Sequence, residues 1–129
     1  MTKRLLLLLV GGALGTLSRY WTTGYVYAIA DGRFPTGTLV VNLLGSFVIG
    51  LLWALAAWVQ ISSPIRSFVF IGFLGGFTTF STYMLETMNL LRAGEWVPAF
   101  LYVFGSTLGG LLMVVGGFVI GNLVVVAIR

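Results

Sequence analysis

Between positions 72 and 83 the chain reads Gly72-Phe73-Leu74-Gly75-Gly76-Phe77-Thr78-Thr79-Phe80-Ser81-Thr82-Tyr83, glycines and clustered hydroxyls inside a segment otherwise apolar enough to cross a bilayer. A plain spanning helix has no use for that composition. Backbone at membrane depth leaves the helical pattern only where protein or a water-filled path surrounds it. Discontinuous helices near the midplane are where small ions are held. The run therefore predicts a broken helix lining an ion route.

Composition places the rest of the chain in a membrane. Of 129 residues, 59% are hydrophobic and 8% charged, too few polar groups to cover a soluble globule. Cys and His are absent, which excludes disulfides, thiolate or imidazole metal sites and Cys- or His-based catalysis; Asp31, Glu86 and Glu95 are the only acidic side chains. An enzyme is not expected. The net charge of +4 suits a membrane surface, and no basic run with interleaved aromatics points to nucleic acid.

Apolar stretches at 5–29, 37–59, 65–91 and 96–128 match the roughly 20 residues that span hydrocarbon. Turn clusters separate them: Asp31-Gly32-Arg33-Phe34-Pro35-Thr36-Gly37, Ser62-Ser63-Pro64 and Arg92-Ala93-Gly94-Glu95. None could hold a second domain, so residues 1–129 read as one all-α domain of four transmembrane helices. Lys3-Arg4 followed by Leu5 to Val10 has the outline of a secretory signal, but the apolar pattern runs well past Gly11-Gly12-Ala13 and reads as the first span.

Four spans put both ends on one side, with Lys3, Arg4, Arg66 and Arg129 there and Arg33 and Arg92 opposite. That bias is weak for a rule that works on Lys and Arg in short loops; a single orientation and insertion in both stay open. Gly11/Gly15, Gly72/Gly76, Gly105/Gly109 and Gly117/Gly121 form G-x-x-x-G pairs, which let helix backbones approach closely where lipid supplies no drive for association. They exceed the needs of one small bundle. Since four helices enclose little volume, the expectation is a path between subunits of a homo-oligomer, a twofold dimer by default.

Arg19 falls within the first span, where a cation costs on the order of 2.5–3.5 kcal/mol at mid-depth unless it snorkels or faces water. It reads either as an interfacial anchor beside Tyr20 and Trp21 or as an anion-attracting charge in a vestibule. Thr38, Asn42 and Ser46 share one face of the second helix. The Asn42 amide needs partners in hydrocarbon, which suits helix–helix bonding or pore lining. On the fourth helix Tyr102 and Ser106 stand one turn apart, a spacing that by itself suggests packing. Glu86 reads as an interfacial carboxylate or a gating group. Phe73, Phe77 and Phe80 fall at helical spacing, ordinarily a packing pattern. Set among hydroxyls, however, the positive edges of such rings can favour a small anion without trapping it.

Three stretches together carry a resemblance: Gly11-Gly12-Ala13-Leu14-Gly15-x-x-x-Arg19-Tyr20, Gly37-Thr38-Leu39-x-x-Asn42-x-x-Gly45, and Gly72 to Thr82. In order and spacing, over essentially the whole chain, they resemble the signatures of the Fluc family of small fluoride channels, also called CrcB. The resemblance implies an antiparallel, dual-topology homodimer with two pores, releasing fluoride passively from the cytoplasm through the cell (inner) membrane of a microbe.

It also implies roles. Asn42 matches the pore-lining asparagine, and Phe80 the first of two pore phenylalanines whose ring edges face fluoride. The carbonyls of Gly75 and Thr78 match those holding a central structural sodium ion shared by the subunits. Tyr102 and Ser106 match the start of a hydroxyl track along the fourth helix, with Thr38, Ser81 and Thr82 expected as further pore residues, while Arg19 and Glu86 match positions of vestibular or uncertain role. Two departures stand out. Tyr83 occupies the place of the second phenylalanine, leaving ring edge and hydroxyl as alternatives, and Gly110 and Val114 stand where the track would continue.

Two other classes compete. A small multidrug or guanidinium exporter is also a short four-span dimer, but resembles its kind in needing a carboxylate in the first helix, where this chain has Arg19 and no acid. A non-transporting structural membrane subunit would leave the Thr78 to Thr82 hydroxyls without a use.

Overall fold

The structure, a computed structural model, describes residues 2–30, 32 and 34–128. Asp31 and Arg33 of the first turn cluster and Arg129 of the charge count lie outside the described residues. The described chain is helical: α1 (Thr2–Ile29), α2 (Thr36–Ala56), α3 (Ser63–Arg66), a π-helical stretch at Ser67–Phe73, α4 (Leu74–Phe77), α5 (Phe80–Arg92) and α6 (Trp96–Ile128). From α3 to α5 the chain makes one span of 30 residues, beside spans of 28, 21 and 33 residues from α1, α2 and α6. At about 1.5 Å per residue, each is long enough for a hydrocarbon core of about 30 Å. This is a multi-pass membrane protein.

The spans fall where apolarity placed them, with shifted ends. The second was expected to run to Val59 and its helix stops at Ala56, because apolar side chains mark membrane depth whereas backbone bonding marks the helix. Between α5 and α6 the turn is tight. Gly94 takes φ +77°, its N–H bonds the Leu91 carbonyl at 3.1 Å and Glu95 N–H reaches the Leu90 carbonyl at 2.9 Å. This left-handed closure ends α5 and suits glycine.

Glycine sets the packing. A methyl group on Gly15 would strike the Phe73 carbonyl, and one on Gly11 would come within 2.6 Å of the Phe68 carbonyl. In return, Gly72 and Gly76 approach the Leu8 and Gly12 carbonyls at 2.9 and 2.7 Å by the same measure. The first two glycine pairs thus clasp each other along the seam between α1 and the third span. Gly117 and Gly121 seat α6 on Phe47, Leu51 and Ala54 of α2. Most of the glycine faces are therefore used within the chain, and their abundance does not itself call for a second copy. Val114, where a hydroxyl would continue the polar track, instead lays its carbonyl against Gly50.

Candidate functional site

Three spans meet where the third is interrupted. α4 ends at Phe77 and α5 starts at Phe80; between them Thr78 (φ −86°, ψ 158°) and Thr79 (φ −148°, ψ 120°) are extended. Extended residues leave the helical ladder, so at membrane depth their polar groups need partners from elsewhere. Asn42 of α2 serves Thr79 with both ends of its amide: Thr79 N–H donates to Oδ1 at 2.8 Å, and Nδ2 donates to the Thr79 carbonyl at 3.0 Å. From α1, Arg19 Nη1 donates to the Thr78 carbonyl at 3.1 Å. Thr78 N–H and Oγ1 both donate to the Leu74 carbonyl, at 3.0 and 2.9 Å.

Thr79 also starts the next helix. Its Oγ1 accepts the Thr82 N–H at 3.3 Å and donates to Thr82 Oγ1 at 3.0 Å, an N-cap. α2 comes close at this level because Gly45 has no side chain; a methyl there would strike Thr78 Cγ2. The outcome is a groove of about 330 Å³, open on one side and lined by Asn42, Ser46, Gly75, Thr78, Thr79 and Phe80 among others. Phe80 is 74% exposed at the edge of this groove. Ser81 and Thr82 are exposed beside it.

A second cluster forms around Glu86 on α5. Tyr102 donates to Oε2 at 2.6 Å, while Thr38 and Tyr27 donate to Oε1 at 2.8 and 3.0 Å. Three hydroxyls from three helices thus satisfy a carboxylate that would otherwise be costly inside a span. Each hydroxyl carries one proton, so those of Thr38 and Tyr102 are committed to Glu86 in this arrangement.

Aromatic edges connect the clusters. Phe80 meets Tyr83 (5.8 Å between centroids, 64°), Tyr83 meets Tyr102 (5.0 Å, 76°), and Tyr102 meets Phe34 from the α1–α2 connection (5.4 Å, 79°). Tyr102 is wholly buried and Tyr83 is 6% exposed. The Tyr83 hydroxyl donates to the Val103 carbonyl at 3.3 Å.

The residues singled out in the sequence thus fall into two groups. Asn42, Gly75, Thr78 and Phe80 share the groove at the interruption, with Ser81 and Thr82 following on α5; Thr38, Glu86 and Tyr102 form the carboxylate cluster, and Tyr83 lies between. Arg19 reaches the interruption itself. Ser106 belongs to neither group, and its Oγ is buried without a hydrogen-bond partner. Sequence reasoning missed Tyr27 and the capping role of Thr79. The signal for Tyr27 was indirect: a carboxylate in a span requires donors, and a hydroxyl near the end of the first span could supply one.

Comparison with known proteins bears on this geometry. The sequence model of the family described as "CrcB-like protein, Camphor Resistance (CrcB)" matches residues 6–118. A protein of Desulforapulum autotrophicum named fluoride-specific ion channel FluC is 40% identical over 126 residues, covering 96% of this chain and 100% of its own. Proteins of the same name from Thermus thermophilus and Chlorobium chlorochromatii are 46% identical over 123 residues (95% of this chain, 97% of the relative) and 47% identical over 116 (89% of each).

Proposed function

The chain belongs to the CrcB family, and from that premise we propose that it is a fluoride-specific ion channel, working as an antiparallel homodimer with two pores in the cell (inner) membrane. The observation that carries the reading is the groove at the helix interruption, which one chain leaves unfinished. Phe80 stands 74% exposed at its rim, and beyond its own helix backbone and chain neighbours Gly75 has no atom within 4 Å of where a side chain would begin. A second copy would close it.

The interruption suits a small anion on one side. α5 begins at Phe80 with first-turn N–H groups that lack helical acceptors and carry the positive end of the helix dipole. Around them stand the ring edge of Phe80, the hydroxyls of Ser81 and Thr82, and the Asn42 N–H not given to Thr79. Several moderate contacts let an ion enter and leave; a full charge in the pore would hold it. The unpartnered Ser106 hydroxyl is a further donor on α6.

On the other side, the C-terminal end of α4 suits a hard cation. Thr79 N–H goes to Asn42, so the Gly75 carbonyl loses its helical donor, and the Thr78 carbonyl keeps a second acceptor position beside Arg19. One chain offers too few oxygens for a hard cation's shell; Gly75 and Thr78 from each of two copies would hold sodium. Its positive charge would tie the two interruptions together as a structural element.

The test is efflux from liposomes carrying the purified protein, read with fluoride- and chloride-selective electrodes. Fluoride should leave and chloride stay; equal passage, or none, would refute the reading. Because the chain has no cysteine, single cysteines placed at either end report orientation by impermeant labelling. Half of each should label from outside.

A further inference from the structure

Of the chain's three acidic residues, Glu86 alone sits within a described helix, and of its three hydroxyl partners Thr38 and Tyr102 are ones that the family resemblance places along the pore. Tyr27 has no such place. Its ring is seated on the first turn of α2, where a methyl on Gly37 would come within 2.8 Å of Cε2. From there its hydroxyl crosses to Glu86 Oε1 at the edge of a cavity of about 390 Å³, shared with Phe34, Pro35, Asn89 and Glu95. Among the described residues that line this cavity there is no cation; the titratable groups that, among the described residues, bond Glu86 are Tyr27 and Tyr102, and Glu95 lines the same cavity.

We propose that Tyr27 is a positioning residue, fixing the Glu86 carboxylate from α1 so that the Thr38 hydroxyl turns to Oε1 and the Tyr102 hydroxyl to Oε2. This role rests on the channel reading above. Oε1 is held from two helices, which sets the carboxylate plane and leaves Oε2 to Tyr102. Without Tyr27 the carboxylate pivots about Thr38 and competes differently for the donors along the route. Tyr27 therefore governs which hydroxyls are committed to Glu86 and which are left for an anion, without touching the anion itself.

Tyr27→Phe removes only the hydroxyl and keeps the ring on Gly37. With three acidic side chains in the whole protein, the infrared carboxylate stretch of Glu86 can be assigned as the band lost in Glu86→Gln. In the reconstituted full chain, Tyr27→Phe should move that antisymmetric stretch to higher wavenumber, because a donor is lost, and should lower fluoride efflux about tenfold, as expected for one hydrogen bond to a charged group. An unmoved band overturns the proposal, and so does a moved band with unchanged efflux. If Tyr27→Phe does not accumulate, Gly37→Ala, which crowds the ring and displaces its hydroxyl, should move the same band. A wild-type chain that passes no fluoride overturns the channel reading and this role with it; the band then distinguishes that failure from a failure of the Tyr27 bond.

Discussion

Asn42 and Thr79 exchange two hydrogen bonds, Thr79 N–H to Oδ1 at 2.8 Å and Nδ2 to the Thr79 carbonyl at 3.0 Å, so the side chain of one span stands in for the helical partners that another has lost. The pair resembles a step of β-ladder made by one side chain. It pairs both backbone groups of an extended residue within a span.

Asn42→Ala should remove both bonds at once. Each orphaned buried group costs about 1–3 kcal/mol, so thermal unfolding in detergent should fall by several degrees and fluoride efflux should be lost. Asn42→Asp keeps the acceptor for Thr79 N–H but sets carboxylate against carbonyl, and should be at least as damaging. If Asn42→Ala melts like the wild type, the interruption does not depend on this pair.

Glycine substitutions should separate the seam from the open face. Gly15→Ala drives a methyl into the Phe73 carbonyl and should cost about 1–3 kcal/mol as overpacking does, visible as reduced yield and lower melting temperature. Gly75→Ala meets nothing within 4 Å beyond its own helix backbone and chain neighbours and should leave the single chain folded while weakening the proposed dimer, read by cross-linking. Equal loss of folding in both would mean that Gly75 packs inside the chain.

Much of this arrangement was legible in the sequence, and for physical reasons. Apolar length marks membrane depth, which is why the four spans could be placed; the Thr38-Asn42-Ser46 stripe follows from helical periodicity alone. The π-helical stretch was not legible, since Ser67–Phe73 has ordinary apolar composition. Tyr27 escaped for a different reason. Aromatic residues near the end of a span are common as interfacial anchors, and nothing local distinguishes one whose hydroxyl meets a carboxylate 59 positions away. Arg19 carried two readings, and only tertiary contact brings its guanidinium to the Thr78 carbonyl.

Arg19 gives a third prediction. Arg19→Met retains an apolar stem but withdraws a charged donor from the Thr78 carbonyl, an interaction worth about 1.5–3 kcal/mol. Fluoride efflux should drop tenfold or more. Arg19→Lys places a single point charge where a planar fork stood and should recover part of that loss. A Met variant with wild-type efflux would assign Arg19 to anchoring alone.

The last prediction concerns the two rings on α5. Phe80 lies at the groove rim with its ring exposed, whereas Tyr83 is buried, its hydroxyl donating to the Val103 carbonyl at a long 3.3 Å. A bond of that length contributes little, so Tyr83→Phe should leave fluoride efflux within about twofold of wild type and stability within about 1 kcal/mol. Phe80→Ile keeps apolar bulk but removes the positive ring edge; efflux should fall sharply while the proposed dimer still assembles. The opposite pattern, Tyr83→Phe inactive and Phe80→Ile normal, would move the anion chemistry from the ring edge to the phenol. It would also require the Tyr83 hydroxyl to leave Val103 and turn toward the route.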